Sequence, residues 1–130
     1  MDLEKKTATG FVVKGKGEGA FFVSMEHYKN AFKEKLGFSP YPGTLNLKTE
    51  TSQTENLKNL KLVRVSGFKQ KDKTFGGVDC YPAELNGIKG AVIVPDYTGH
   101  GRDIMEFIAP VHLRTELKLK NNDKVKVEFK

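Results

Sequence analysis

Tyr41-Pro42-Gly43-Thr44-Leu45-Asn46-Leu47 is a turn that runs straight into a strand. Pro42-Gly43 makes the turn, and successive strand residues then point to opposite faces. Leu45 and Leu47 share one face and predict a core beneath it. Thr44 and Asn46 share the other. A hydroxyl and a carboxamide side by side offer two neutral oxygens to a hard cation. Taken alone, the same alternation also fits two polar residues facing water on a half-buried strand.

Working outward, the preceding stretch from Met25 to Leu36 carries Met25, Tyr28, Phe32 and Leu36 at helical spacing, with Ala31 beside them. Ser24 is placed to cap its start, and Gly37 follows its end. This predicts one substantial helix with its apolar stripe on the core and His27 off that stripe. Upstream, Thr7 to Lys14 reads as a strand. Gly15-Lys16-Gly17-Glu18-Gly19 follows, with glycine at alternate positions. Such a loop can bring its backbone close to a ligand and present N–H groups to an anion. It is neither a Walker motif nor a dinucleotide fingerprint.

Downstream, strands are expected around Lys61 to Ser66, Thr74 to Leu85 and Ile88 to Val94. Asn86-Gly87 is a hairpin turn joining the last two. Gly67 to Asp72 reads as a polar turn, and Gly76-Gly77 as a bend within the second strand. The run from Pro95 to Arg102 interrupts the pattern. Further strands follow from Asp103 to Ala109 and from Lys124 to Phe129, with a short helical turn between Val111 and Leu117. Many short strands without a βαβ rhythm predict a mainly β barrel with one substantial helix.

The 130 residues suit a single domain with a real core. Twenty-two Lys and Arg against 16 Asp and Glu give a net charge of +6, which favours anionic partners without choosing among them. Cys80 is the lone cysteine, so an internal disulfide and a cysteine-based zinc cluster are excluded. The sequence has no apolar run of membrane-spanning length, and its first residues lack a signal peptide's apolar segment. A cytoplasmic protein is expected. His27, His100 and His112 are too dispersed to predict a ligand set.

The glycine loop, the helix ending Leu36-Gly37-Phe38, the run Tyr41 to Leu47, and Ile108-Ala109-Pro110 with Leu113-Arg114 together resemble the archaeal CTP-dependent riboflavin kinases. The order and spacing match across almost the whole chain. The resemblance implies a six-stranded cradle-loop barrel, unrelated to P-loop kinases, that transfers the γ-phosphoryl of CTP to riboflavin, giving FMN and CDP. It implies that Gly15, Lys16, Gly17, Glu18, Gly19 and Ala20 wrap the nucleotide, with Val111, His112, Leu113 and Arg114 as a second nucleotide-binding segment. Thr44 and Asn46 match magnesium ligands. Thr98 and Glu106 match flavin contacts, and Glu106 is the candidate group beside the acceptor hydroxyl, as hydrogen-bond partner or general base. Gly99 to Arg102 departs from the family pattern. The implied partners are CTP, CDP, riboflavin and FMN, with neither nucleic acid nor membrane, and a monomer is expected. Some relatives carry an N-terminal helix-turn-helix domain; none is expected here, because the first strand begins within a few residues of Met1. Two other readings compete: a nucleic-acid-binding β-barrel, which requires a basic stripe with stacking aromatics, and a nucleotide- or flavin-binding module without catalysis.

Overall fold

The computed structural model describes residues 6–15, 23–50, 57–96 and 103–130. Its elements are β1 (Thr7–Val13), α1 (Glu26–Leu36), β2 (Leu45–Thr49), β3 (Val63–Val65), β4 (Phe68–Gln70), β5 (Lys73–Phe75), β6 (Val78–Leu85), β7 (Ile88–Pro95), β8 (Ile104–Ile108), α2 (Leu113–Glu116) and β9 (Lys124–Phe129). Hydrogen bonding runs β6-β7-β8-β2-β1-β9, and β9 returns to β6. Six antiparallel strands therefore close a barrel, as the strand count and turn signals predict.

Closure rests on β6. One edge pairs with β7 along its full length, from Val78↔Pro95 to Leu85↔Ile88. The other edge is divided: β3 takes residues 78–80 and β9 takes residues 83–85. Pro82 falls between those two partners, where its missing N–H removes no ladder bond. Its carbonyl accepts the Lys130 N–H at 3.2 Å. Asn86 and Gly87 hold φ of 47° and 86°, the left-handed pair that lets a two-residue turn follow the strand twist.

Alternation fills the barrel with Val12, Leu45, Leu47, Val92, Met105, Phe107 and Val127, all buried. A second core lies outside the ring. Cys80, Ala91, Ile93 and Ile108 on the outer face of β6, β7 and β8 meet Tyr28 and Phe32 of α1. Strand β7 is thus covered on both faces, which explains its unbroken apolar run. Burying Phe32 completely contributes about 3 kcal/mol relative to leaving it exposed.

The helix begins one residue later than the sequence predicts. Met25, not Ser24, is the N-cap, extended and without a side-chain cap hydrogen bond. Glu26 in the first turn and Lys33 and Lys35 in the last oppose the helix dipole's end charges favourably. Gly37 ends it, donating its N–H to Lys33 O at 3.1 Å.

Two other expectations are corrected. The segment Gly67 to Asp72 is not only a turn, because β4 and β5 form a separate two-stranded hairpin. Phe68 and Phe75 pair across it with rings 4.6 Å apart, and the His27 ring stacks on Phe68 at 4.3 Å. The strand predicted from Thr74 to Leu85 is two strands, separated at Gly76-Gly77. Asp96 fixes that break: its N–H donates to Gly77 O and its carboxylate accepts the Gly77 N–H, each at 2.9 Å. Arg64 grips Asp96 through both terminal nitrogens at 2.7 and 2.8 Å and reaches Asp79 at 2.9 Å. Among the described residues, no helix is long and apolar enough to cross a membrane.

Candidate functional site

Strand β2 leaves the Pro42-Gly43 turn, where Gly43 adopts a φ of 130° that side chains avoid. The Tyr41 N–H, donating to Ala109 O at 2.8 Å, ties this turn to the chain leaving β8. Because Leu45 and Leu47 enter the barrel, Asn46 stands on its outer face. Pairing sets Asn46 beside Val13 on one side and Glu106 on the other. Glu106 is itself in register with Ile93 of β7.

These side chains meet. Thr44 Oγ1 donates to Glu106 Oε1 at 3.1 Å. Asn46 Nδ2 approaches Thr44 O at 3.5 Å. Glu106 is one of two buried polar or charged side chains among the described residues, only 9% exposed. Gly15 lies directly over Asn46, so closely that an added Cβ would run into Nδ2.

The hydrogen bonds decide what the pair can offer. Thr44 has one hydroxyl proton, and Glu106 takes it, which leaves the oxygen's lone pairs for another partner. With the Asn46 amino group turned to Thr44 O, its Oδ1 faces away. Two neutral hard oxygens next to a carboxylate are of the type that a small divalent cation takes as ligands. Among the described residues, no group of three or more His, Cys, Asp and Glu is placed to hold a metal.

A pocket of about 100 Å3 opens beside this face. Residues 41–45 line one wall, and Phe107, Ala109 and Val111, His112, Leu113 and Arg114 line the other. Thr44 thus belongs both to the outer-face group and to the pocket. The Tyr41 ring lies 4.8 Å from the His112 ring. His112 Nδ1 is 2.7 Å from Thr115 Oγ1, and Leu113 is anchored in the barrel core. Arg114 Nη2 donates to Val13 O at 3.2 Å and to Asn121 Oδ1 at 2.8 Å.

The structure therefore brings Gly15, Thr44, Asn46 and Glu106 together, and sets residues 111–114 around a pocket that shares Thr44. Lys16, Gly17, Glu18, Gly19, Ala20 and Thr98 lie outside the described residues. Sequence reasoning assigned no role to Tyr41 or Asn121. Tyr41 carries a signal, as an aromatic beside a Pro-Gly turn; Asn121 carries none.

Residues 12–129 match the model of the CTP-dep_RFKase family, described as domain of unknown function DUF120. The chain is 45% identical over 124 residues to a protein of Methanosarcina acetivorans named riboflavin kinase, covering 93% of this chain and 52% of that one. A riboflavin kinase of Pyrobaculum aerophilum is 46% identical over 123 residues, covering 92% and 59%. One of Archaeoglobus fulgidus is 45% identical over 122 residues, covering 92% and 52%. The chain thus spans little more than half the length of these curated relatives. With the model matched from the first barrel strand to the last, this chain belongs to the CTP-dep_RFKase family.

Proposed function

We propose that the chain is a CTP-dependent riboflavin kinase unit, which moves the γ-phosphoryl group of CTP to the 5′-hydroxyl of riboflavin. The observation that carries this reading is the meeting of Gly15, Thr44, Asn46 and Glu106 on one face, beside the pocket that Arg114 lines. The family match and the names of the relatives support it.

In the reaction, the ribityl oxygen bonds to the γ-phosphorus as the bond from that phosphorus to the β–γ bridging oxygen breaks. CDP leaves and FMN remains. The hydroxyl proton departs late, when bonding to the acceptor oxygen is advanced, and passes to an oxygen of the transferred phosphoryl group or to water. Little covalent chemistry is asked of the protein, so positioning and charge neutralisation dominate. The backbone from Gly15 cradles phosphate, and Arg114 adds positive charge at the pocket. Thr44 and Asn46 would hold magnesium, which would offset charge on the phosphate oxygens. Glu106 holds the Thr44 hydroxyl in place and binds the acceptor hydroxyl rather than acting as an obligatory base. On this reading the enzyme is a cytoplasmic monomer whose partners are CTP and riboflavin.

The test is FMN formation from riboflavin and magnesium with CTP, ATP, GTP and UTP in turn. FMN with CTP alone is expected. FMN with none of the four would sink the kinase reading, and equal use of ATP would sink the CTP preference.

A further inference from the structure

Asn121 lies in the turn between α2 and β9, outside every segment to which the sequence assigned a role. Its carboxamide oxygen accepts a 2.8 Å hydrogen bond from Arg114 Nη2. The same nitrogen donates to Val13 O at 3.2 Å. A guanidinium nitrogen of this kind carries two hydrogens, so these two acceptors engage both of them. With one corner pinned twice, the plane of the guanidinium is set. Arg114 lines the pocket together with Thr44, so the N–H groups beyond that pinned corner belong to a residue that can meet an anion there. Val13 precedes Gly15 by two residues, so the same contact also fixes where the glycine loop begins.

We propose that Asn121 is a positioning residue for the nucleotide: it aims Arg114 at the phosphates and, through Arg114, joins the pocket to the start of the glycine loop. This rests on the kinase reading and deepens it. The turn does not need the Asn121 side chain to stand. The Asn122 N–H donates to Val12 O at 2.7 Å and the Val12 N–H to Asp123 O at 2.8 Å. The Asp123 carboxylate accepts the Lys120 N–H at 2.8 Å. Removing the Asn121 amide leaves all of these in place, so its loss is expected at the ligand rather than in the fold.

The experiment is calorimetric binding of CDP with magnesium to the wild type, Asn121→Leu, Arg114→Met and the double variant, with thermal unfolding of each. Asn121→Leu should raise the CDP Kd about tenfold, as loss of a hydrogen bond to a charged group does, without lowering Tm. In the Arg114→Met background the same change should have no further effect. Unchanged CDP affinity in Asn121→Leu would overturn the proposal. So would an equal loss in the Arg114→Met background, since Asn121 would then act independently of the arginine. Kinetics separate this from the parent reading: if the wild type binds CDP but makes no FMN, kinase activity fails while the Kd ratios still decide the role of Asn121.

Discussion

Thr44 Oγ1 lies 3.1 Å from Glu106 Oε1, across 62 residues of sequence and the seam between β2 and β8. The contact gives the buried carboxylate a proton donor and leaves the threonine oxygen's lone pairs directed elsewhere. A glutamine at position 106 can still accept that hydrogen bond.

Glu106→Gln therefore discriminates the two roles of this residue. If Glu106 positions, kcat should fall by less than about tenfold. A general base would cost about 10²-fold or more. Turnover of the variant under saturating riboflavin and CTP reads the difference.

Gly15→Ala should spare the fold and damage the site. The new Cβ meets the Asn46 amide, which must swing away from Thr44. We expect kcat/KM to drop at least about tenfold, with Tm changed by no more than about 2 °C. A variant with wild-type kinetics would show that the Asn46 amide can move without consequence.

Asp96 supplies a pH signature. The Arg64 guanidinium, and after it the Gly77 N–H, hold its carboxyl below the ordinary value near 3.8. A carboxyl with a lowered folded-state pKa contributes stability that is present above 3.8 and lost as pH falls through the folded value. Asp96→Asn should thus be less stable than the wild type at pH 7, and the two Tm curves should converge below about pH 3.8. Both partners are substantially exposed, so the difference is small. Parallel curves down to pH 2 would contradict the assignment.

Cys80 should be unreactive in the native protein. Burial in the α1-facing core, with Asp79 adding to it, pushes its thiol up to about 12. Ellman's reagent at pH 8 should label it only after denaturation. Rapid native labelling would mean that the outer core opens readily.

Much of this was legible in the sequence because it depends on local rules. The alternation of Leu45 and Leu47 placed Asn46 on the outer face, Asn86-Gly87 gave its hairpin, and Lys124 to Phe129 is a strand with the bounds expected. What escaped depends on distant partners. A three-residue strand such as β4 has one apolar residue and no period to detect, so Phe68 and Phe75 became a pair only in the fold. The return of β9 to β6, the Arg64–Asp96 clamp and the Arg114–Asn121 bond join residues far apart or of ordinary surface type. The magnesium role proposed for Thr44 and Asn46 rests on resemblance, because two polar residues on a strand face fit water as readily as a cation.

The most direct test of the account is a magnesium titration of FMN formation from CTP and riboflavin, run on the wild type and on Asn46→Leu. Leucine retains the strand and removes one proposed oxygen ligand, so native-like Tm with activity reduced about 10³-fold at every magnesium concentration is predicted. An Asn46→Leu protein with wild-type turnover and an unchanged magnesium midpoint would contradict it.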